Sequence, residues 1–231
     1  MFDNATIVFD LDGTLVDTAP DLMHALNYAL ARAGHPPVSA ETVRSLVGMG
    51  AQVMIEEGLR RAGITADLTA MLGDFLVHYE ANLARESRPF PGAVAALERL
   101  RAEGARLAVC TNKRERLSRR LLQELDLEGY FSAIAGRDTF PVAKPDPGHL
   151  LGAIRLAGGD PFRAVMIGDT DIDVRAAKAA SVPVVLVSFG YCGPPPSLPP
   201  ESVIDHFDQL HASLSALLAP PAPSRAHPQS A

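Results

Sequence analysis

Apolar residues in this chain come as short unbroken runs, separated by longer stretches in which they recur every three to four positions. Five runs read as strands: Thr6 to Phe9, Arg106 to Cys110, Ala133 to Ala135, Ala164 to Ile167 and Val182 to Val187. Most lack polar alternation, as parallel strands covered on both faces do. Between them the periodicity predicts helices from Pro91-Gly92 through Leu97 and Leu100, from Arg114 to Leu125, from Pro147 to Ala157 and from Asp171 to Ala180. Repeated strand, helix, strand connections imply right-handed crossovers and a layered α/β domain with a parallel sheet.

One interval breaks this rhythm. From Asp17 to Arg88 the pattern is helical throughout, and it reads as an inserted all-helical cap. Thr18-Ala19-Pro20-Asp21 resembles a capping start, followed by an apolar face of Leu22, Leu26, Tyr28 and Leu30. Further helices are expected from Ser39, from Ala51, and from Ala66 to Arg85. The expected organisation is therefore a core made of residues 1–16 and 89–218, a smaller cap at 17–88, and a flexible Pro-rich tail at 219–231.

Composition narrows the possible partners. With 47% hydrophobic residues in 231, the chain can bury a large core. A net charge of −6 offers no basic surface for a nucleic acid backbone or an anionic membrane, and no run reaches the length of a membrane span. Two cysteines, Cys110 and Cys192, have no metal-ligand spacing. That usage, and an amino terminus without a signal-like stretch, leads to the expectation of a reduced, cytoplasmic setting. A monomer and a homodimer are both compatible with the sequence. His24, His78, His149, His206 and His211 lack paired ligand spacing and are read as having no functional role.

Four polar segments each follow an apolar run, where the carboxyl ends of parallel strands converge on one crevice. The first is Asp10-Leu11-Asp12-Gly13-Thr14. Strand alternation would send Asp10 and Asp12 to the same side. Two such charges about 4 Å apart repel by roughly 4 kcal/mol at an effective dielectric of 20, so they call for a cation or a shared proton. The second is Thr111-Asn112, whose hydroxyl and amide can hold phosphoryl oxygens without adding negative charge, although Thr111 would also suit a helix cap. Lys113 beside them faces either the site or solvent, and the sequence does not choose. The third is Lys144-Pro145-Asp146-Pro147, with an ammonium on a proline-stiffened backbone. The fourth is Gly168-Asp169-Thr170-Asp171-Ile172-Asp173, where Asp169 and Asp173 are spaced for one helix face. Together these groups suit magnesium-assisted phosphoryl transfer through an aspartate nucleophile, with Asp169 a hard oxygen ligand and Asp173 behind it, orienting Lys144.

In this order the segments resemble the motifs of the haloacid dehalogenase superfamily of phosphohydrolases. The resemblance spans the chain apart from the tail, and implies a Rossmann-like core with a helical cap of the superfamily's smaller type. Arg88-Pro89-Phe90-Pro91-Gly92, Thr111-Asn112-Lys113 and Asp138-Thr139-Phe140-Pro141 are most similar to the phosphoglycolate phosphatase group within it. The resemblance implies Asp10 as nucleophile, and Asp12 as acid/base that also offers its backbone carbonyl to Mg2+. It further implies Asp169 as the remaining metal ligand, and Thr111, Asn112 and Lys144 around the phosphoryl group. Gly48-Met49-Gly50 is similar to the group's substrate loop, with Met49 where asparagine often stands. Arg114 stands where proline is frequent, and Ser181 where glycine is common.

The implied substrate is a small phosphorylated metabolite, 2-phosphoglycolate first, with another sugar or metabolite phosphate as the alternative. A phosphomutase of the same superfamily fits less well, because those compared carry an acidic residue where Gly168 stands. A phospho-aspartate signalling receiver is shorter, lacks the insert and has no need of Asp12, and a silent binding protein would not need the full polar set. Arg44, Arg60, Arg61, Lys113 and Arg137 are the basic residues available to a substrate carboxylate, and the sequence does not choose among them.

Overall fold

The computed structural model describes residues 2–191 and 196–219. Its main sheet contains β1 (Thr6–Phe9), β4 (Arg106–Cys110), β5 (Ala133–Ala135), β6 (Ala164–Gly168), β7 (Val184–Val187) and β8 (Ser202–Ile204). Their order is β5-β4-β1-β6-β7-β8, and every pair is parallel. β2 (Val16–Asp17) and β3 (Arg88–Pro89) form a separate antiparallel ribbon. The helices are α1 (Ala19–Arg32), α2 (Ala40–Arg44), α3 (Ala51–Ala62), α4 (Leu68–Ala81), α5 (Ala93–Ala102), α6 (Glu115–Glu124), α7 (Pro147–Leu156), α8 (Asp171–Ala179) and α9 (Leu210–Leu217).

The absence of polar alternation follows from packing on both faces. Ile7, Phe9, Leu107, Val109, Val165 and Ile167 join one apolar cluster, which also holds Leu97, Leu121 and Leu214. The intervening Val8, Ala108, Cys110 and Met166 meet Leu150, Ile154 and Val174 of α7 and α8 on the other face. Burial pushes the Cys110 thiol up to about 12, so this cysteine behaves as a small apolar residue.

Helices α1–α4 lie between the two strands of the ribbon, and the expected divisions at 16/17 and 88/89 fall within it. The first apolar cluster continues from the sheet into these helices through Leu22, Leu26, Leu30, Phe75 and Tyr79. Tyr28 departs from the expected face: it is exposed and stacks on His78 at 4.4 Å between ring centroids. The expected cap at Thr18 is also corrected. Its hydroxyl is buried without a partner and makes no cap hydrogen bond. Asp21 instead accepts from the amides of Glu86 and Ser87 and from the Ser87 hydroxyl at 2.7–3.1 Å, latching α1 to the returning chain. Ser39 and Asp67 do cap α2 and α4.

β7 starts two residues later than expected. Ser181 has φ 56, in the left-handed region, and the Val182 amide bonds back to the Ala177 carbonyl, so the helix exit consumes the first residues of the apolar run. β8 was not predicted from the sequence. All but Ala219 of the expected tail, and Cys192, lie outside the described residues.

Candidate active site

Parallel register places the polar segments together. Phe9 is opposite both Val109 and Ile167, so the chain leaves β1, β4 and β6 at one edge of the sheet. After β1, Gly13 turns the chain with φ 87, and its amide bonds to the Val16 carbonyl at 2.9 Å. A Cβ there would lie 2.4 Å from Asp169 Oδ2 and 2.6 Å from the Tyr191 ring, so only glycine lets this turn approach Asp169.

Asp10, Asp169 and Asp173 are buried, and one oxygen of each lies within 4.8 Å of the others. Their partners differ. Asp169 accepts from Thr14 Oγ1 at 3.1 Å and from the Tyr191 amide at 2.8 Å. Asp173 accepts from Lys144 Nζ at 2.6 Å and, through its other oxygen, from the amide and hydroxyl of Thr170. Lys144 Nζ also lies 2.8 Å from Asp10 Oδ1, an ion pair without hydrogen-bond alignment, which leaves this buried oxygen without a donor. Burial, opposed by the Lys144 ammonium and reinforced by Asp173, pushes the Asp10 carboxyl up to about 6. Burial and the Asp173 and Asp10 carboxylates raise Asp169 well above the usual range. Burial alone would lower Lys144, but Asp10 and Asp173 more than reverse this and hold it charged.

Three buried carboxylates with one shared ammonium, and an acceptor oxygen lacking a donor, form a hard-oxygen environment short of positive charge. That donor set fits a hard divalent cation, magnesium among them. Asp169 joins the cluster from outside a helix, since α8 begins at Asp171. The expected shared helix face is thus corrected: the two acids meet because β6 ends beside the first turn of α8.

Asp12 has a cation of its own. Lys113 Nζ lies 3.0 Å and 3.2 Å from its two carboxylate oxygens and donates to Tyr79 Oη at 2.6 Å. This settles the direction of Lys113, which is buried, and relieves the repulsion between Asp10 and Asp12 with two lysines instead of one shared cation. Burial alone would lower Lys113, but Asp12 and Tyr79 raise it, while burial pushes the Tyr79 hydroxyl up to about 12.

Thr111 is not a helix cap: α6 begins only at Glu115, and Thr111 Oγ1 accepts from the Lys113 amide at 3.2 Å. Asn112 Nδ2 donates to the Lys144 carbonyl at 3.0 Å and the Gly48 carbonyl at 3.3 Å, and its buried Oδ1 has no donor. Gly48 and Gly50 thereby reach the site through backbone, while Met49 is exposed. A cavity of about 280 Å3 opens beside Asp12, Thr111, Asn112 and Lys113, walled by Leu22, Met54 and Phe75 among others.

Three residues here carried no readable signal in the sequence, Tyr79, His149 and Tyr191, while Thr14 stood in the first polar segment without a role of its own. Tyr191 joins the acidic centre to the ribbon, its amide on Asp169, its hydroxyl donating to Asp17 at 2.5 Å and accepting from the Ala19 amide at 2.8 Å. The reading of His149 as functionally silent is corrected. Fully buried, it accepts from the Lys144 amide through Nδ1 at 3.2 Å, which assigns the proton to Nε2, facing the Gly136 carbonyl at 3.0 Å. With Asn112 on its carbonyl, Lys144 is held by its backbone from both sides.

Burial and the Lys144 ammonium, against smaller opposing effects of the Gly136 carbonyl and Asp146, push His149 down to about 4. The unfolded chain takes up this proton near pH 6.5 and the folded one only near 4, so the contribution to stability is full above 6.5 and falls as pH drops toward 4. His149→Gln is therefore expected to flatten the loss of urea stability between pH 6.5 and 4. An equally steep loss in the variant would remove His149 as its source.

The family model for haloacid dehalogenase-like hydrolases matches residues 7–187. The chain belongs to this family and is a phosphatase. It is 47% identical to a phosphoglycolate phosphatase of Mesorhizobium japonicum, over 92% of this chain and 95% of that one. A phosphoglycolate phosphatase of Caulobacter vibrioides is also 47% identical, over 95% of both chains. The crystal structure of a predicted phosphoglycolate phosphatase from Haemophilus somnus 129PT superposes with a TM-score of 0.84 at 29% identity, covering 92% of this chain and 98% of that one. Among the described residues no helix is long and apolar enough to cross a membrane.

Proposed function

We propose that this phosphatase hydrolyses 2-phosphoglycolate with Mg2+ as cofactor, through an aspartyl phosphate on Asp10. The observation that carries the chemistry is the buried, donor-poor Asp10 oxygen beside Asp169, Asp173 and Lys144. The substrate reading rests on the relatives named above and on the small anionic esters that the neighbouring cations favour.

Asp10, the backbone carbonyl of Asp12, and Asp169 would hold the metal, with Asp173 behind them. Bound there, Mg2+ supplies charge neutralisation for the phosphoryl oxygens and for the attacking carboxylate. Lys144 adds the positive charge that the protein itself provides, while the Thr111 hydroxyl and the Asn112 backbone amide present neutral donors. In the first half-reaction an Asp10 oxygen forms a bond to phosphorus as the ester P–O bond breaks, and the leaving oxygen takes a proton from Asp12. In the second, Asp12 takes a proton from water as that water's oxygen bonds to phosphorus and the Asp10–phosphorus bond breaks, releasing phosphate. Residues 17–88 act as a cap that excludes bulk water, pivoting on the Val16–Asp17 and Arg88–Pro89 ribbon.

The test is phosphate release from 2-phosphoglycolate and from a panel of sugar and nucleotide monophosphates, with Mg2+ and with chelator. A Mg2+-dependent preference for 2-phosphoglycolate is expected. Equal or sugar-selective release would overturn the substrate, and full activity in chelator would overturn the metal.

A further inference from the structure

The basic residues of the cap and the site do not have equal freedom to meet a ligand. Arg44 lies 3.7 Å from Asp17, and Arg60 and Arg61 share Glu57 on α3. The Lys113 ammonium is occupied by both oxygens of Asp12 and by Tyr79. Arg114 and Arg137 are different. Both line the 280 Å3 cavity, and neither has an ion pair among the described residues.

The backbone brings these two residues to neighbouring positions. The Arg137 amide donates to the Lys113 carbonyl at 2.9 Å, and the Glu115 amide to Asp138 Oδ1 at 2.8 Å, so the segments after β4 and β5 are tied side by side. Opposite them stands Gly50, with φ 89, where a Cβ would lie 2.9 Å from Arg137 Nη1. The loop between α2 and α3 thus closes against the guanidinium itself. The facing walls, Leu22, Met54, Leu72 and Phe75, are apolar. Both arginines are exposed at the mouth of this cavity, so their guanidinium groups can meet an entering anion without first breaking an internal ion pair.

We infer that Arg137 and Arg114 form an anion subsite for a carboxylate carried by the leaving alcohol, in the cavity that Asp12 also lines. A planar guanidinium matches a carboxylate in bidentate fashion, and the cavity continues directly from Asp12, the residue that protonates the leaving oxygen. The inference rests on the phosphatase mechanism proposed above and adds which residues meet the carboxylate of the leaving group.

The test uses two matched pairs of esters. 2-Phosphoglycolate is compared with 2-hydroxyethyl phosphate, and 3-phosphoglycerate with glycerol 3-phosphate, so that each pair differs in its carboxylate. The readout is the ratio of kcat/KM within a pair for wild type, Arg137→Gln, Arg137→Lys and Arg114→Gln. Wild type is expected to prefer the carboxylate ester. Arg137→Gln is expected to lower that ratio about tenfold or more, mainly through KM, with Arg114→Gln acting in the same direction and Arg137→Lys restoring part of the loss.

Ratios unchanged in both glutamine variants, or equal losses on both members of a pair, would overturn the subsite. So would a wild-type enzyme indifferent to the carboxylate. If 3-phosphoglycerate is the better substrate and its preference depends on Arg137, the subsite stands and the 2-phosphoglycolate reading falls. If 2-phosphoglycolate is best and the variants keep its ratio, the substrate reading stands and the subsite falls.

Discussion

Asp10→Asn is expected to fold as the wild type does and to turn over at least about a thousand-fold more slowly. The two effects separate because the side chain has two roles. Chemically, the amide cannot form the acyl phosphate, so the loss falls on kcat. Structurally, it is nearly isosteric in a site where burial already disfavours the ionised carboxyl and has pushed it up to about 6. Removing one of three crowded negative charges relieves repulsion with Asp169 and Asp173, so in chelator the variant is expected to melt no lower than wild type. Steady-state phosphate release and thermal unfolding in chelator measure the two halves. A rate within a few-fold of wild type would remove Asp10 as nucleophile.

Lys144→Met is expected to act on stability as strongly as on rate. Lys144 Nζ is the cation within ion-pair distance of both Asp10 and Asp173, at 2.8 Å and 2.6 Å, and all three groups are buried. Without it the carboxylates face one another uncompensated. Breaking one side of a buried ion pair costs about 3–5 kcal/mol. Added Mg2+ is expected to recover part of this stability, because a divalent cation among the same acids replaces the missing charge, while activity stays lost. Urea unfolding in chelator and in Mg2+ measures both. Equal stability of variant and wild type in chelator would contradict the electrostatic reading of the site.

Much of the fold follows from local pattern. Thr6–Phe9, Arg106–Cys110 and Ala133–Ala135 form strands with the bounds expected from their apolar runs, because strands buried on both faces admit no polar interruption. The helices came within a few residues for a similar reason: α4, for example, starts at a side-chain cap, Asp67, that stands in the sequence. β8 escaped notice because it is three residues at the sheet edge, with Val203 exposed, and such a strand exists only through its neighbour β7.

The candidate site divides along the same line. Asp10, Asp12, Thr111, Asn112, Lys144 and Asp169 were legible as candidates because parallel strands deliver their carboxyl ends to one edge, and each residue lies within three positions of such an end or, for Lys144, on a proline-stiffened loop. What each side chain touches was not legible. Local pattern treats Lys113 as equally suited to solvent, His149 as a helical residue and Tyr191 as part of a glycine-rich loop. Only the tertiary structure pairs Lys113 with Asp12, sets His149 under the Lys144 amide and ties Tyr191 to Asp169. The same holds for Arg137, whose freedom from ion pairing is a property of its surroundings. Local pattern was enough to show which chemical groups follow the ends of apolar runs, since the hydrophobic period is a local and repetitive property. The tertiary structure decided which charges are paired and which remain available to a ligand, because pairing depends on contacts between residues up to 174 positions apart, as for Asp17 and Tyr191.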